Sequence, residues 1–117
     1  SKNGTFARLK GWMNHVGEPA WAFHNIIPHK VNSYDVNDVD EVALTHAIYR
    51  KKVIIALGGF VSRVLKQYGI IHIKIDHPSP RNRNLNSLEY ELEMLVNLEF
   101  NIAVHREANS YIDDLND

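Results

Sequence analysis

Phe6, Leu9, Trp12 or Met13 and Val16 recur at the three- and four-residue spacing of one helix face, after a turn-prone Asn3-Gly4. Gly17 is placed to end that segment in left-handed geometry, so residues 5–16 predict a helix. After Pro19, residues 21–27 form an aromatic and branched run closed by Pro28, which reads as a strand with His24 and Asn25 at its end. Asp35 or Asn37 can cap a helix through about Arg50, with Val39, Val42, Ala43, Ala47 and Ile48 as its inner stripe. Residues 53–57 carry no polar interruption, as expected of a strand covered on both faces. Gly58-Gly59 then turns the chain into a helix whose buried side is Phe60, Val61, Val64, Leu65 and Tyr68 and whose stop is Gly69. Ile71, Ile73 and Ile75 alternate with His72, Lys74 and Asp76, the pattern of a strand with one dry face near a sheet edge. Ser87 can cap a last helix in which Leu88, Leu92, Leu95, Leu98 or Glu99, and Ile102 run to about Arg106, with a fraying tail beyond Glu107.

Helices alternating with strands in this way predict an α/β fold: a three-layer α/β/α arrangement over a short, mostly parallel sheet, in one domain covering 1–117. A two-layer α+β domain is the alternative. In open parallel sheets ligands bind beyond the carboxyl ends of the strands, here residues 25–28, Gly58-Gly59 and residues 77–80.

Composition narrows the function classes. The formal net charge is −1, so any nucleic-acid contact must come from local clusters such as Arg50-Lys51-Lys52 or Arg81 with Arg83, while Glu107, Asp113, Asp114 and Asp117 make the end acidic. The chain has no cysteine, which excludes disulfides, thiolate metal sites and a cysteine nucleophile and fits a cytoplasmic protein. Its longest apolar run, 53–57, is too short to span a bilayer, and no signal-peptide pattern opens it, so no membrane association is expected. The first residue is Ser1 and not methionine, so the chain is expected to be the carboxy-terminal portion of a longer domain or a domain complete in itself.

Residues 76–86 carry the densest chemistry. Pro78 and Pro80 stiffen a loop that leaves a strand end, and Arg81, Asn82, Arg83, Asn84 and Asn86 crowd donors and cations onto the turn that follows. The His77 imidazole can donate a hydrogen bond to a developing anion, or it can simply cap a neighbouring group. Asn25 can read a nucleobase edge with its carboxamide, or stitch its strand to the next loop; alternation points His24 to the opposite face. Gly58-Gly59 could cradle a phosphate, but without a G-x-G-x-x-G or a following lysine close packing is the stronger reading. No helix spacing of histidines and no acidic cage appears, so neither metal nor cofactor is expected. Ser79, Ser62 and Ser33 lack a nucleophile elbow.

His77-Pro78-Ser79-Pro80-Arg81-Asn82 resembles the second active-site motif of the uracil-DNA glycosylase superfamily, most closely its single-strand-selective monofunctional type. Phe23-His24-Asn25-Ile26-Ile27-Pro28 resembles the strand that carries that family's base-reading asparagine, and residues 53–59 are similar to the hydrophobic strand and glycine turn between the two motifs. The resemblance spans about residues 5–105. It implies that Asn25 binds the pyrimidine edge of a flipped base and that His77 stabilises charge on the base oxygen as the N-glycosidic bond breaks. By the same resemblance Pro78, Ser79 and Pro80 press the DNA backbone, Arg81 fills the gap left by the base, and Asn82 and Arg83 contact DNA.

The family's first motif, a glycine- and proline-containing loop that positions water, has no counterpart in the chain. Two expectations follow. Either the chain is a DNA glycosylase-like protein acting on single- or double-stranded DNA with uracil or a modified pyrimidine, or it is a noncatalytic DNA- or protein-binding derivative that pairs with itself or a partner chain to complete its sheet. Asp35, Asp38 and Asp76 are the carboxylates that could hold a water instead.

Overall fold

The structure, a computed structural model, describes residues 2–18, 20–27, 35–51 and 53–116. Pro19, Pro28, Ser33, Lys52 and Asp117 lie outside the described residues. The apolar run at 53–57 supplies strand β1 (Ile55–Leu57), and the alternating run after it supplies β2 (Ile73–Ile75). They pair in parallel, Ile55 opposite Ile73 and Leu57 opposite Ile75, with helix α3 (Gly59–Gln67) as the crossover that a parallel pair requires. Two bonds extend the ladder, from the Ile73 amide to the Ile54 carbonyl (2.8 Å) and from the Gly58 amide to the Ile75 carbonyl (2.9 Å).

Helices α1 (Lys2–His15), α2 (Glu41–Ile48) and α4 (Leu88–Asn116) complete a small α/β unit of two strands and four helices among the described residues. Successive β1 residues face opposite ways. Ile55 and Leu57 pack on a cluster containing Trp12 and Met13 of α1, Ile73 and Ile75 of β2, and Leu95 and Leu98 of α4, whereas Ala56 belongs to a second cluster with Ile26, Ile27, Leu44, Val64 and Leu65. Burying each such aliphatic side chain contributes about 1.5–3 kcal/mol. None of the described helices is long and apolar enough to cross a membrane.

Four expectations need correction. Residues 21–27 form no strand: the Ile26 carbonyl accepts from the Asp40 amide (2.8 Å), the Ile27 amide bonds the Asn25 side chain (3.1 Å), and the segment makes no ladder. A strand exists only by pairing, and a cavity of about 700 Å³ lies between this segment and β1. Among the described residues the sheet therefore has two strands where three were expected.

Helix α2 is capped by Asp40, whose Oδ1 accepts from the Val42 and Ala43 amides (3.0 and 3.1 Å), while Asp35 precedes and Asn37 lies within a short 3-10 turn, Val36–Asp38. Of its expected inner stripe Val39 and Ile48 pack against the second cluster as expected and Val42 stands 69% exposed, while the buried residue is Leu44. Helix α1 begins at Lys2, three residues ahead of the expected start at residue 5, although Gly17 ends the turn as expected with φ +76°. Helix α4 continues past Arg106 to Asn116, and of its expected stripe Leu95, Leu98 and Ile102 are buried whereas Leu88 and Leu92 are not.

Candidate functional site

Beyond β2 the chain turns back over the strand end, and Asp76 organises the turn. Its Oδ1 accepts from the Tyr90 hydroxyl (2.7 Å) and its Oδ2 from the side-chain amides of Asn82 (3.1 Å) and Asn84 (3.3 Å). Burial works to raise the Asp76 pKa, but these hydrogen bonds and the charge of Lys74 outweigh it and hold the carboxyl below its ordinary value. Asn82 also donates to the His77 carbonyl (3.2 Å), and its Oδ1 accepts from the Asn84 amide (3.1 Å), capping the 3-10 turn Arg83–Asn86. Pro78 and Leu85 are buried beneath the loop. Arg8, reaching from α1, donates to the Ser79 carbonyl (3.3 Å), and the Ser79 hydroxyl accepts from the Arg81 amide (3.1 Å).

This bonding fixes the state of His77. The Ser79 amide donates to His77 Nδ1 (3.1 Å), so Nδ1 is the unprotonated nitrogen and a neutral ring carries its proton on Nε2. Burial lowers the His77 pKa below the usual histidine value, which favours the neutral ring at pH 7. The side chain of His77 sits beside the glycine turn: a Cβ built on Gly58 would lie 3.4 Å from the His77 Cβ, and Gly58 has φ +90°. The distance is an ordinary contact, so it is the positive φ that calls for glycine there.

The cavity beside β1 is lined by His77, Gly58, Gly59, Asn25 and Phe23, so it draws together the three loops at which the sequence places a ligand. Asn25 accepts from the Ile27 amide through Oδ1, an Asx turn that leaves its Nδ2 without a partner among the described residues. His24 lines the same cavity, contrary to the expected opposite face, because alternation holds only in a strand and none forms here. Phe6 packs on Trp21 (5.7 Å) and edge-on to Phe23 (6.3 Å), and both phenylalanines are 49% exposed.

The loop residues divide into two groups. Pro78 and Asn82 act inside the loop, while Pro80, Arg81 and Arg83 stand exposed, with no side-chain partner for either arginine among the described residues. Of the carboxylates that could hold water, Asp35 and Asp38 bond the backbone of their own turn and Asp76 lines a separate polar cavity of about 470 Å³ with Tyr90, Glu93 and Asn97. Ser62 is buried and bonds His72 Nε2 (2.7 Å), whose Nδ1 faces the Ile70 carbonyl (2.8 Å), a clasp between α3 and the start of β2. Among the described residues no group of three histidines or carboxylates could hold a metal ion.

Arg8, Tyr90 and the aromatic trio are not legible in the sequence, since each meets its partner only across the fold. Comparison with protein-family models, with curated proteins and with solved structures finds no match to the chain.

Proposed function

We propose that the chain is a uracil-DNA glycosylase-like module of three-layer design that grips DNA with Pro80, Arg81 and Arg83 and takes an extruded uracil-type base into the cavity between Asn25 and His77. One observation carries the reading: Asn25 and His77, distant in sequence, line one cavity, and the loop bonding of His77 leaves Nε2–H as its donor. The two apolar clusters on opposite faces of β1 support the three-layer design. Breaking an N-glycosidic bond builds negative charge on the leaving base, so a donor held toward the base oxygen acts more on the transition state than on the ground state. Asn25 Nδ2–H orients the base, and Arg81 occupies the stack it leaves, offsetting part of the unstacking cost of a few kcal/mol.

The experiment is a gel assay on uracil-containing single- and double-stranded oligonucleotides followed by alkali. Scission that disappears in His77→Ala and in Asn25→Ala supports base excision. Binding without scission sinks the enzymatic reading and leaves the second one, a noncatalytic DNA- or protein-binding derivative. That alternative has its own support, because among the described residues β1 is paired on one side only and the cavity lies along it, so an added strand from a second copy or a partner chain would complete the sheet. Sedimentation as a monomer at all concentrations, with no strand-forming peptide and no DNA bound, removes it.

A further inference from the structure

The long helix α4 has two apolar faces, and among the described residues only one is covered. Leu95, Leu98 and Ile102 lie in the core, whereas Leu88, Leu92, Val96, Phe100 and Val104 follow one another at spacing four and stand 67, 44, 65, 68 and 45% exposed. A row at spacing four is one of the ridges by which helices interlock, and this one runs about 24 Å along the axis at 1.5 Å per residue. Five large apolar side chains in an unbroken row exceed the scattered exposure of an ordinary surface.

The charge around the ridge selects what covers it. Glu89, Glu93, Glu99 and Glu107 lie three positions from Leu92, Val96, Val96 and Val104 respectively, which makes them neighbours of the ridge on the helix surface. All four are exposed, and none has an ion-pair partner among the described residues. Arg106, the only Lys or Arg in α4, bonds both Glu18 carboxylate oxygens (2.7 and 2.8 Å), and Glu91, the remaining glutamate, is turned inward to Trp12 and Arg8. A second copy of the same face would set glutamates against glutamates, and an anionic lipid surface would be repelled.

We infer that the Leu88, Leu92, Val96, Phe100 and Val104 ridge is a docking face for a basic amphipathic helix of a partner protein. The partner helix lays its own apolar row into the grooves beside Val96 and Phe100, crossing α4 at about 50°, and places Lys or Arg opposite Glu89, Glu93 and Glu99. This face is separate from the cavity that holds Asn25 and His77 and does not depend on the function proposed there.

The test uses the full chain and three synthetic helical peptides of Leu, Ala and either Lys or Glu: an amphipathic one with lysine flanks, a permuted one of the same composition without an apolar face, and an amphipathic one with glutamate flanks. Fluorescence anisotropy should give saturable binding of the first alone. Val96→Ser with Phe100→Ser should weaken it tenfold or more, with helicity and thermal unfolding unchanged because both side chains are exposed. Glu93→Lys with Glu99→Lys should weaken it similarly and restore binding of the glutamate-flanked peptide, a rescue that damage to the fold could not produce. Equal binding of the permuted peptide, no loss in the serine pair, no rescue, or a chain dimer dispersed by the serine pair would each overturn the inference.

Discussion

Replacing Asp76 with alanine should loosen the loop that carries His77 and Arg81 at a calculable cost. The substitution removes the acceptor for three side-chain hydrogen bonds, from Tyr90, Asn82 and Asn84, and so unties the end of β2 from both the 3-10 turn and α4. Hydrogen bonds to a charged group contribute about 1.5–3 kcal/mol each when shielded, but Asp76 is only part-buried and its donors can turn to water. Discounting for that exposure leaves about 2 kcal/mol for the cluster, equivalent to a fall in Tm of roughly 10 °C for a domain of this size.

Urea unfolding followed by fluorescence of Trp12 and Trp21 measures this directly, and Tyr90→Phe should by itself cost about 0.5–1 kcal/mol. In the double variant the two losses should fall short of their sum, because both substitutions remove the same bond. The sign of the pH dependence is defined. Because the folded-state pKa of Asp76 lies below its unfolded value, the unfolded chain takes up the proton first on acidification. The advantage of wild type over Asp76→Ala is therefore full above about pH 4 and shrinks as the pH falls through the lowered folded value. A difference below about 0.5 kcal/mol at neutral pH, or one that grows on acidification, would refute the role of Asp76 as the organiser of the loop.

Nitrogen-15 spectra of the His77 ring should show the proton on Nε2 and a titration midpoint below the usual histidine value, and a ring protonated on Nδ1 at pH 7 would break the proposed donor geometry. Gly58→Ala should cost about 1–3 kcal/mol in thermal unfolding, since a Cβ is strained at φ +90°, and should shift the His77 resonances, since the new methyl touches His77; a variant as stable as wild type would contradict the strain, and unmoved resonances the contact. Leu98→Ala, at a position 1% exposed, should cost about 2–5 kcal/mol by chemical denaturation, and a loss under 1 kcal/mol would mean that α4 packs elsewhere. Arg81→Ala should weaken binding to uracil-containing duplex more than to single strands, because only duplex needs a plug after extrusion; equal losses would remove that role.

What could be read from residues alone was set by how local each cause is. Spacing and a terminal glycine suffice for α1, branched apolar residues for β1, and Ser87 for the start of α4, where its hydroxyl accepts from the Tyr90 amide (3.2 Å). The arrival of His77 beside Gly58-Gly59 at one cavity followed from strand ends sharing a rim, whereas Asn25 reaches that cavity from a segment that forms no strand. Residues 21–27 misled because β-propensity describes a residue and a strand describes a pair. The cap of α2 was unreadable because Asp35, Asn37, Asp38 and Asp40 can all cap, and local chemistry does not rank them. Leu88 and Leu92 looked like core because a helix with two apolar faces does not reveal which one the rest of the chain covers.

The packing of α1 against α4 has a consequence for synthesis. Trp12, Met13 and Val16 share their cluster with Leu95, Leu98 and Ile102, so the first helix cannot complete its burial until the last has emerged. At about 5–20 residues per second, the interval between Leu9 and Leu95 is roughly 4–17 s on the ribosome. During that time an apolar helix face stays open to water and to chaperones, and a stalled or shortened nascent chain would be left with it exposed.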